Sequence, residues 1–310
     1  MQAQFDPDSA AAWQVRIFKK SATRKAMLAE IQRLLPPTED KTCLDIGGRD
    51  GMIPTMLRTR GGTWKSADSR PAAAAFMKEV FGEKQVELLS GPTLPYEDNS
   101  LNLIVVMEHL ERIKDDATFL KECHRCLAPE GNLILHVPHI KSFSLVHGLR
   151  SLLGLSDEEY GRQRPGYRQR DLHEISKDGF DIVESRTYSG FLEEFVTTWI
   201  MKSSRDPSSQ EPEGIPTAGE VLDQQALRTL SNTYRIHAIL YPVVLICRGI
   251  DSLFQFTCNH QLVVQLKPRP WLQRRGVHMR DGRSIADAAI NTKIGTAADL
   301  KDPKNTRSQV

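Results

Sequence analysis

The residues best suited to chemistry follow one short apolar run near the N-terminus. In CLDIGGRDGMIP, Asp45 lies inside that run, and Gly47, Gly48 and Gly51 follow it closely. Glycine lets a backbone approach a bound ligand closely. A second acidic residue, Asp68, comes about 20 residues later, at the distance where an acid ending a second strand binds ribose hydroxyls. The spacing therefore predicts a cleft for a ribose-bearing cofactor.

The same glycines distinguish between classes of cofactor. A dinucleotide site needs G-x-G-x-x-G to seat a pyrophosphate, and GGRDGM does not have that spacing. Asp45 would repel a pyrophosphate but attract a cationic group. S-adenosylmethionine carries a sulfonium and an ammonium and no phosphate. We therefore expect it as the cofactor, with Asp45 acting on its methionine end through water or backbone. The alternatives are a turn or capping role for Asp45 and an exposed turn position for Asp68.

Two histidines are candidates for a general base. Glu108 and His109 follow the fourth predicted strand and His139 follows the fifth, at the edge where a substrate would lie. A histidine with a near-neutral pKa can take a proton from a hydroxyl group. Methyl transfer can also proceed by alignment of the attacking atom alone. Structural roles for both histidines therefore stay open.

The elements that would position these residues alternate between strand and helix. Short apolar segments such as TCLDIG, LNLIVVMEHL and NLILHVPH predict strands, and amphipathic segments between them predict helices. This alternation over residues 40–190 indicates an α/β fold with a doubly wound, mostly parallel sheet. A single helix is predicted over 11–35, within an N-terminal helical segment, 1–39.

The rest of the chain divides into three predicted segments. A helical insertion or lid spans 191–258 and contains a Pro/Ser/Gly-rich flexible loop at 203–220. A final core strand follows at 259–268. A basic, polar tail occupies 269–310.

Four sequence blocks, in order, resemble class I S-adenosylmethionine-dependent methyltransferases. They are LDIGGRDG, ADS, LPYEDNSLNLIVVMEHL and LAPEGNLILHVPH. The resemblance is closest to the group that includes quinone-biosynthesis and cell-surface glycan methyltransferases. It implies a Rossmann-like, seven-stranded sheet whose last strand, at 260–267, lies antiparallel between the fifth and sixth.

The resemblance also implies which residues contact the cofactor. These are Asp45, Gly47, Gly48, Gly51, Asp68, Ser69, Ser90 and Glu108. Two positions depart from the family pattern. Arg49 replaces the middle glycine of the first motif, and Ser90 stands where an aspartate often contacts the adenine amine.

Composition narrows the classes of partner. The formal net charge of +2 over 310 residues gives no sign of nucleic-acid binding. The N-terminus has no apolar h-region, and five cysteines are typical of a reducing compartment, so we expect a cytoplasmic protein. Cys123 and Cys126 form one C-x-x-C pair without a second, so no metal site is expected.

The insertion indicates which kind of acceptor the protein could methylate. An apolar core of about a dozen residues at 236–247 is too short to span a bilayer. It suits a helical cap, a lid over the cleft, or a peripheral helix at the inner face of a membrane. The sequence therefore predicts O-methylation of a sugar hydroxyl on a surface polysaccharide or lipid-linked glycan. The alternatives are methylation of a quinone or other lipid, and a non-catalytic membrane-associated protein with this fold. The oligomeric state is left open.

Overall fold

A seven-stranded sheet organises the part of the chain that the structure describes. This computed structural model describes residues 9–140, 148, 150, 153, 161–204, 224–253 and 259–270. The strands are β1 Thr42–Ile46, β2 Thr63–Asp68, β3 Val86–Leu88, β4 Leu101–Met107, β5 Leu127–Pro138, β6 Phe180–Tyr188 and β7 Gln261–Pro268.

The strand order is β3-β2-β1-β4-β5-β7-β6. Strands β1 to β5 pair in parallel, and β7 runs antiparallel to both β5 and β6. The doubly wound α/β fold and the antiparallel insertion of β7 are therefore confirmed. Because β1, β2, β4 and β5 run in the same direction, their carboxyl ends meet at one edge of the sheet.

Eight α-helices accompany the sheet within the described ranges. They are α1 Ala10–Lys19, α2 Ala22–Leu34, α3 Met52–Arg58, α4 Pro71–Phe81, α5 Asp116–Cys126, α6 Gln169–Ser176, α7 Phe191–Ser204 and α8 Gln224–Leu253. Helices α2 and α3 pack with the inner strands in one apolar core. Ile31, Leu57, Leu103 and Ile134 in that core have no exposed surface. Strand β4 is buried along almost its whole length, as expected of a central parallel strand.

The single helix expected over residues 11–35 is two helices. Helix α1 ends at Lys19, and Ser21 caps α2 by accepting a hydrogen bond from the Arg24 amide at 3.4 Å. A serine side chain can satisfy the free amides of a first turn, so it favours a helix start over a helix interior. The apolar periodicity continues across the break, which is why the pattern alone did not reveal it.

The insertion is built on a helical pair. Helix α8 has 30 residues and is about 45 Å long at 1.5 Å per residue. It packs on α7, α1 and α2. Most of the predicted loop at 203–220 and nearly all of the predicted tail lie outside the described residues.

Helix α8 is longer and more apolar than its sequence core suggested. Between Arg228 and Leu253 it is long and apolar enough to cross a membrane, with a mean hydropathy of 1.5 over the most apolar 18 residues. Only 11% of that window is buried. Length and composition alone are weak evidence, because a core helix of a soluble protein can meet the same criteria. The sequence led us to expect a segment too short to span a bilayer. That expectation is corrected, because α8 as a whole is long enough.

Candidate functional site

The turn after β1 is shaped for close approach of a ligand. Gly47 has a φ of +85°, and a Cβ at this position would lie 2.1 Å from the Met107 carbonyl oxygen at the end of β4. Gly51 begins α3 with a φ of +69°. A Cβ on Gly48 would lie 2.4 Å from the Pro54 ring. The backbone therefore fills the space that side chains would need, at the carboxyl edge of the sheet.

Asp45 lies beneath this turn and is completely buried. Its Oδ2 accepts hydrogen bonds from Arg58 Nη1 and Ser66 Oγ, both at 2.9 Å. Its Oδ1 has no partner among the described residues and lies on the side of Gly48. Burial raises the pKa of Asp45 to about 6, although Arg58 opposes the rise. The carboxyl thus ties α3 to β1 and β2 and keeps one oxygen directed at the turn.

Asp68 ends β2, where a ribose-binding acid is expected, but a neighbouring guanidinium already engages it. Arg70 Nε donates to Oδ1 at 2.9 Å, and Arg70 Nη2 donates to Oδ2 at 2.7 Å. Burial alone would raise the pKa of Asp68, but Arg70 holds it below its usual range. A ribose can therefore reach this carboxylate only if the arginine gives up at least one of these bonds.

Three other residues predicted to contact the cofactor lie near this edge of the sheet: Ser69, Ser90 and Glu108. Ser69 is half-buried between Asp68 and Arg70, and Ser90 is exposed after β3. Glu108 follows β4 with a φ of +47°, in the left-handed region. No contact of these side chains with a ligand is tested, so their binding roles stay predictions.

A cavity of about 220 Å³ adjoins the glycine turn. Gly47, Gly48 and Glu108 line it on the sheet side. Its other walls come from α1, α2, α7 and α8, with apolar contributions from Ile17, Met27, Ile200 and Leu230. Asp45, Gly51, Asp68, Ser69 and Ser90 are not among its lining residues. The cavity thus connects the predicted cofactor turn to the N-terminal helices and the helical insertion.

The floor of this cavity carries a pair of polar side chains that the sequence interpretation missed. His136, on β5, has its Nε2 2.5 Å from the Tyr188 hydroxyl on β6. Its Nδ1 is buried and has no partner among the described residues. Burial lowers the pKa of His136, although Glu108 and Glu194 oppose this, and burial raises the pKa of Tyr188 well above its usual value. Both side chains are therefore neutral at pH 7.

Two carboxylates face the same cavity. Glu108 and Glu194 both line it, and Glu194 is held by Arg150 at 2.9 Å and by the Gln261 side-chain amide at 2.8 Å. A polar histidine near the end of an otherwise apolar strand was the available sequence signal. Its partners come from distant segments, so the signal could not be interpreted from the strand alone.

The two histidines proposed from sequence lie elsewhere. His109 has no exposed surface, packs against Phe119, and has neither ring nitrogen hydrogen-bonded to a described residue. Burial lowers the pKa of His109 to about 4. His139 contacts the Asn259 carbonyl through Nδ1 at 2.8 Å. Neither lines the cavity, so the geometry favours His136 over both as the histidine nearest an acceptor.

Comparison with known proteins finds a matching family model in the central part of the chain. Residues 44–135 match the family model described as a methyltransferase domain. The matched segment contains most of β1, all of β2, β3 and β4, the glycine turn and most of β5. The family model therefore covers the cofactor edge of the sheet, whereas α1, α2, α7 and α8 lie outside it.

Curated proteins similar to this chain are also named as methyltransferases. The chain is 26% identical over 113 residues to a protein of Mycobacterium tuberculosis named "Probable S-adenosylmethionine-dependent methyltransferase". That alignment covers 36% of this chain, and the chain spans 41% of the length of the curated relative.

Solved structures show the same fold at low identity. Geranyl diphosphate C-methyltransferase from Streptomyces coelicolor, solved with Mg²⁺, geranyl diphosphate and S-adenosyl-L-homocysteine, has a TM-score of 0.51 at 11% identity. That match covers 85% of this chain and 84% of that one. A candidate sarcosine dimethylglycine methyltransferase from Galdieria sulphuraria has a TM-score of 0.50 at 13% identity, covering 80% and 87%.

The curated relative is named as dependent on S-adenosylmethionine, so this is the group to compare with the site. The residues present fit such a group at the turn. Gly47 leaves a backbone cradle, and Asp45 keeps an unpartnered oxygen on the side of Gly48. The ribose position fits less directly, because the Asp68 carboxylate is already paired with Arg70.

Proposed function

We propose that this protein is an S-adenosylmethionine-dependent methyltransferase that methylates a hydroxyl group. One observation carries the proposal: the glycine turn and the His136–Tyr188 pair line a single cavity. A methyl group held at the turn and an acceptor held by the pair would share that space. Rate enhancement by alignment of reacting groups requires such proximity.

The cofactor, when bound, supplies a methyl group on a cationic sulfur. The chain's own residues hold its methionine end at the turn and keep the acceptor beside it. Transfer of that methyl group to the acceptor oxygen would leave the sulfur as a neutral thioether, so the chain's own residues have only the hydroxyl proton to accept. The hydroxyl proton passes to His136 Nδ1, which burial keeps unprotonated at pH 7. In this tautomer Nε2–H donates to the Tyr188 hydroxyl oxygen and fixes the ring.

The acceptor that we propose is a sugar hydroxyl on a lipid-linked glycan. The cavity is smaller than the roughly 300–1,000 Å³ of pockets that enclose a drug-sized ligand. Only the reacting part of a large acceptor would therefore enter. Arg150, Glu108, Glu194 and Gln261 supply the polar contacts that a ring with several hydroxyls needs. Apolar side chains of α1, α2 and α8 line the same cavity beside these groups.

Calorimetric titration with S-adenosylhomocysteine tests the cofactor. The wild-type protein should bind with a micromolar Kd. Asp68→Ala should weaken binding by about 2 kcal/mol, roughly thirtyfold, because a bond to a charged group is lost. Since this variant leaves Arg70 buried without its partner, Asp68→Ala/Arg70→Ala is measured beside it. The double variant avoids leaving a buried guanidinium without its partner, which is the strongly destabilising case.

The control is Asp181→Ala, an exposed carboxylate on β6, which should bind as the wild type does. No binding by a folded wild-type protein would refute the methyltransferase proposal and favour a non-catalytic protein with this fold. Wild-type binding that the double variant retains unchanged would instead refute only the ribose role of Asp68.

The acceptor is tested with radiolabelled S-adenosylmethionine and a chloroform–methanol extract of membranes from the source cells. Label that mild acid releases in a water-soluble sugar fragment would support the glycan. Label that migrates with the quinone fraction would refute the sugar hydroxyl and support the lipid alternative. Boiled protein is the control for transfer without catalysis.

A further inference from the structure

Helix α8 carries an exposed apolar stripe on the face opposite the cavity. The stripe consists of Ile239, Val243, Ile246, Ile250 and Leu253. Their spacing of three and four residues places them on one side of the helix. Their side chains are between 37% and 79% exposed. A soluble helix normally turns such a stripe towards a core, so this face lacks the expected cover among the described residues.

The opposite face of the same helix lines the cavity and packs against the rest of the domain. Leu230, Thr233 and His237 line the cavity, and Val244 is buried against α7 and α2. Asp251 is buried and accepts hydrogen bonds from the Leu192 and Glu193 amides at the start of α7. The helix is therefore apolar on its outer face, while its inner face lines the cavity and packs on the domain.

The charged side chains of α8 are mostly basic. No acidic residue occurs from Gln224 to Ile250, and the single acid, Asp251, is buried. Arg228 and Arg235 are exposed at the N-terminal end of the stripe. An anionic surface would therefore meet cations at one end of α8 and apolar side chains along the rest. On α7, which packs against α8, Trp199 is 56% exposed, and tryptophan is enriched where membrane meets water.

We propose that α8 docks the protein on an anionic lipid bilayer, with the stripe in the headgroup boundary and the helix parallel to the surface. A membrane-spanning arrangement is disfavoured, because one face of α8 is packed on α1, α2 and α7. The purpose of the docking rests on the proposed function, because docking would bring the cavity close to a lipid-linked acceptor. The docking itself is independent of catalysis.

Vesicle sedimentation of the full chain tests the docking. The wild type should bind vesicles of phosphatidylcholine and phosphatidylglycerol, and should bind phosphatidylcholine alone more weakly. Ile239→Glu/Ile246→Glu should lower binding at least about tenfold, because two buried apolar side chains become charged. Arg228→Gln/Arg235→Gln should lower it about fivefold for each cation, and high salt should weaken the wild type similarly.

The matched control is Leu88→Glu/Val183→Glu, which makes the same chemical change at two exposed aliphatic residues on β3 and β6. It should bind vesicles as the wild type does. All variants should bind S-adenosylhomocysteine equally, so failure of docking is separable from failure of the proposed function.

Three results would overturn the proposal. The first is no binding of the wild type to either vesicle. The second is a marked fall in unfolding temperature for the stripe variant but not for the control, since the stripe would then be covered by its own chain. The third is a wild-type dimer that the stripe variant converts to monomer, since a second copy would then be the occupant.

Discussion

The buried carboxyl of Asp45 makes the stability of this protein depend on pH in a way that one substitution should reveal. Burial raises its pKa from an ordinary 3.8 to about 6. The charged and polar groups around it are Arg58 and Ser66, which bond to it, and Asp68, which repels it. A pKa difference of about two corresponds to about 3 kcal/mol.

The sign follows from proton binding. Because the folded pKa is the higher one, the folded state binds the proton more tightly than the unfolded state. The resulting stability is fully present below pH 3.8 and is lost as the pH rises to about 6. Asp45→Asn resembles the protonated carboxyl and has no such proton to lose. The free energy of unfolding of the wild type, minus that of Asp45→Asn, should therefore fall by about 2.5 kcal/mol between pH 4 and pH 7.

Urea denaturation followed by circular dichroism at several pH values measures this difference. Background titrations are common to both proteins and cancel in the subtraction. A difference that stays constant within about 0.5 kcal/mol from pH 4 to pH 7 would refute the reasoning, because the carboxyl would then ionise as it does in water. As a second readout, the ammonium of S-adenosylhomocysteine should favour the ionised carboxyl, so its affinity should rise as the pH passes 6.

Two further substitutions test the turn and the polar pair. Gly47→Ala should cost at least about 2 kcal/mol in the free energy of unfolding, since its Cβ would lie 2.1 Å from the Met107 carbonyl at a φ of +85°. Urea denaturation measures this, and a cost below about 0.5 kcal/mol would contradict the close approach. His136→Gln should lower the rate of methyl transfer to the extracted acceptor about 100-fold while S-adenosylhomocysteine affinity is unchanged. Tyr188→Phe should lower the rate less, and equal rates in both variants and the wild type would remove the pair from the reaction.

The fold could be predicted because its signals are local. The apolar strands, the glycine turn and Asp68 lie in short contiguous segments, and strand–helix alternation leaves few topologies for a parallel sheet. The number of strands and the antiparallel place of the last one followed from the resemblance. The helix break at Ser21 was missed, because periodicity continues through it and only the hydroxyl marks the new start.

The state of the predicted acids could not be inferred from their positions. Asp68 lies where it was expected, yet Arg70, only two residues away, engages both of its oxygens. Side-chain pairing of this kind depends on rotamers and burial, which a spacing rule does not contain. His109 illustrates the same limit, since its place after β4 was correct but its ring is buried away from the cavity.

The acceptor half of the site escaped prediction for a different reason. The glycine turn and the end of β4 lie in the segment whose sequence blocks are recognisable, but the opposite walls come from α1, α2, α7 and α8, the most distant of which are more than 200 residues apart. A role for His136 can be inferred only once the fold brings Tyr188 on β6 and Glu194 on α7 near it. Of these helices, α8 also carries the exposed stripe, so one wall of the cavity and the surface proposed to meet a membrane are two faces of the same helix. A substitution on the outer face of α8 leaves the lining of the cavity unchanged. Its effect on vesicle binding can therefore be measured separately from any effect on the choice of acceptor.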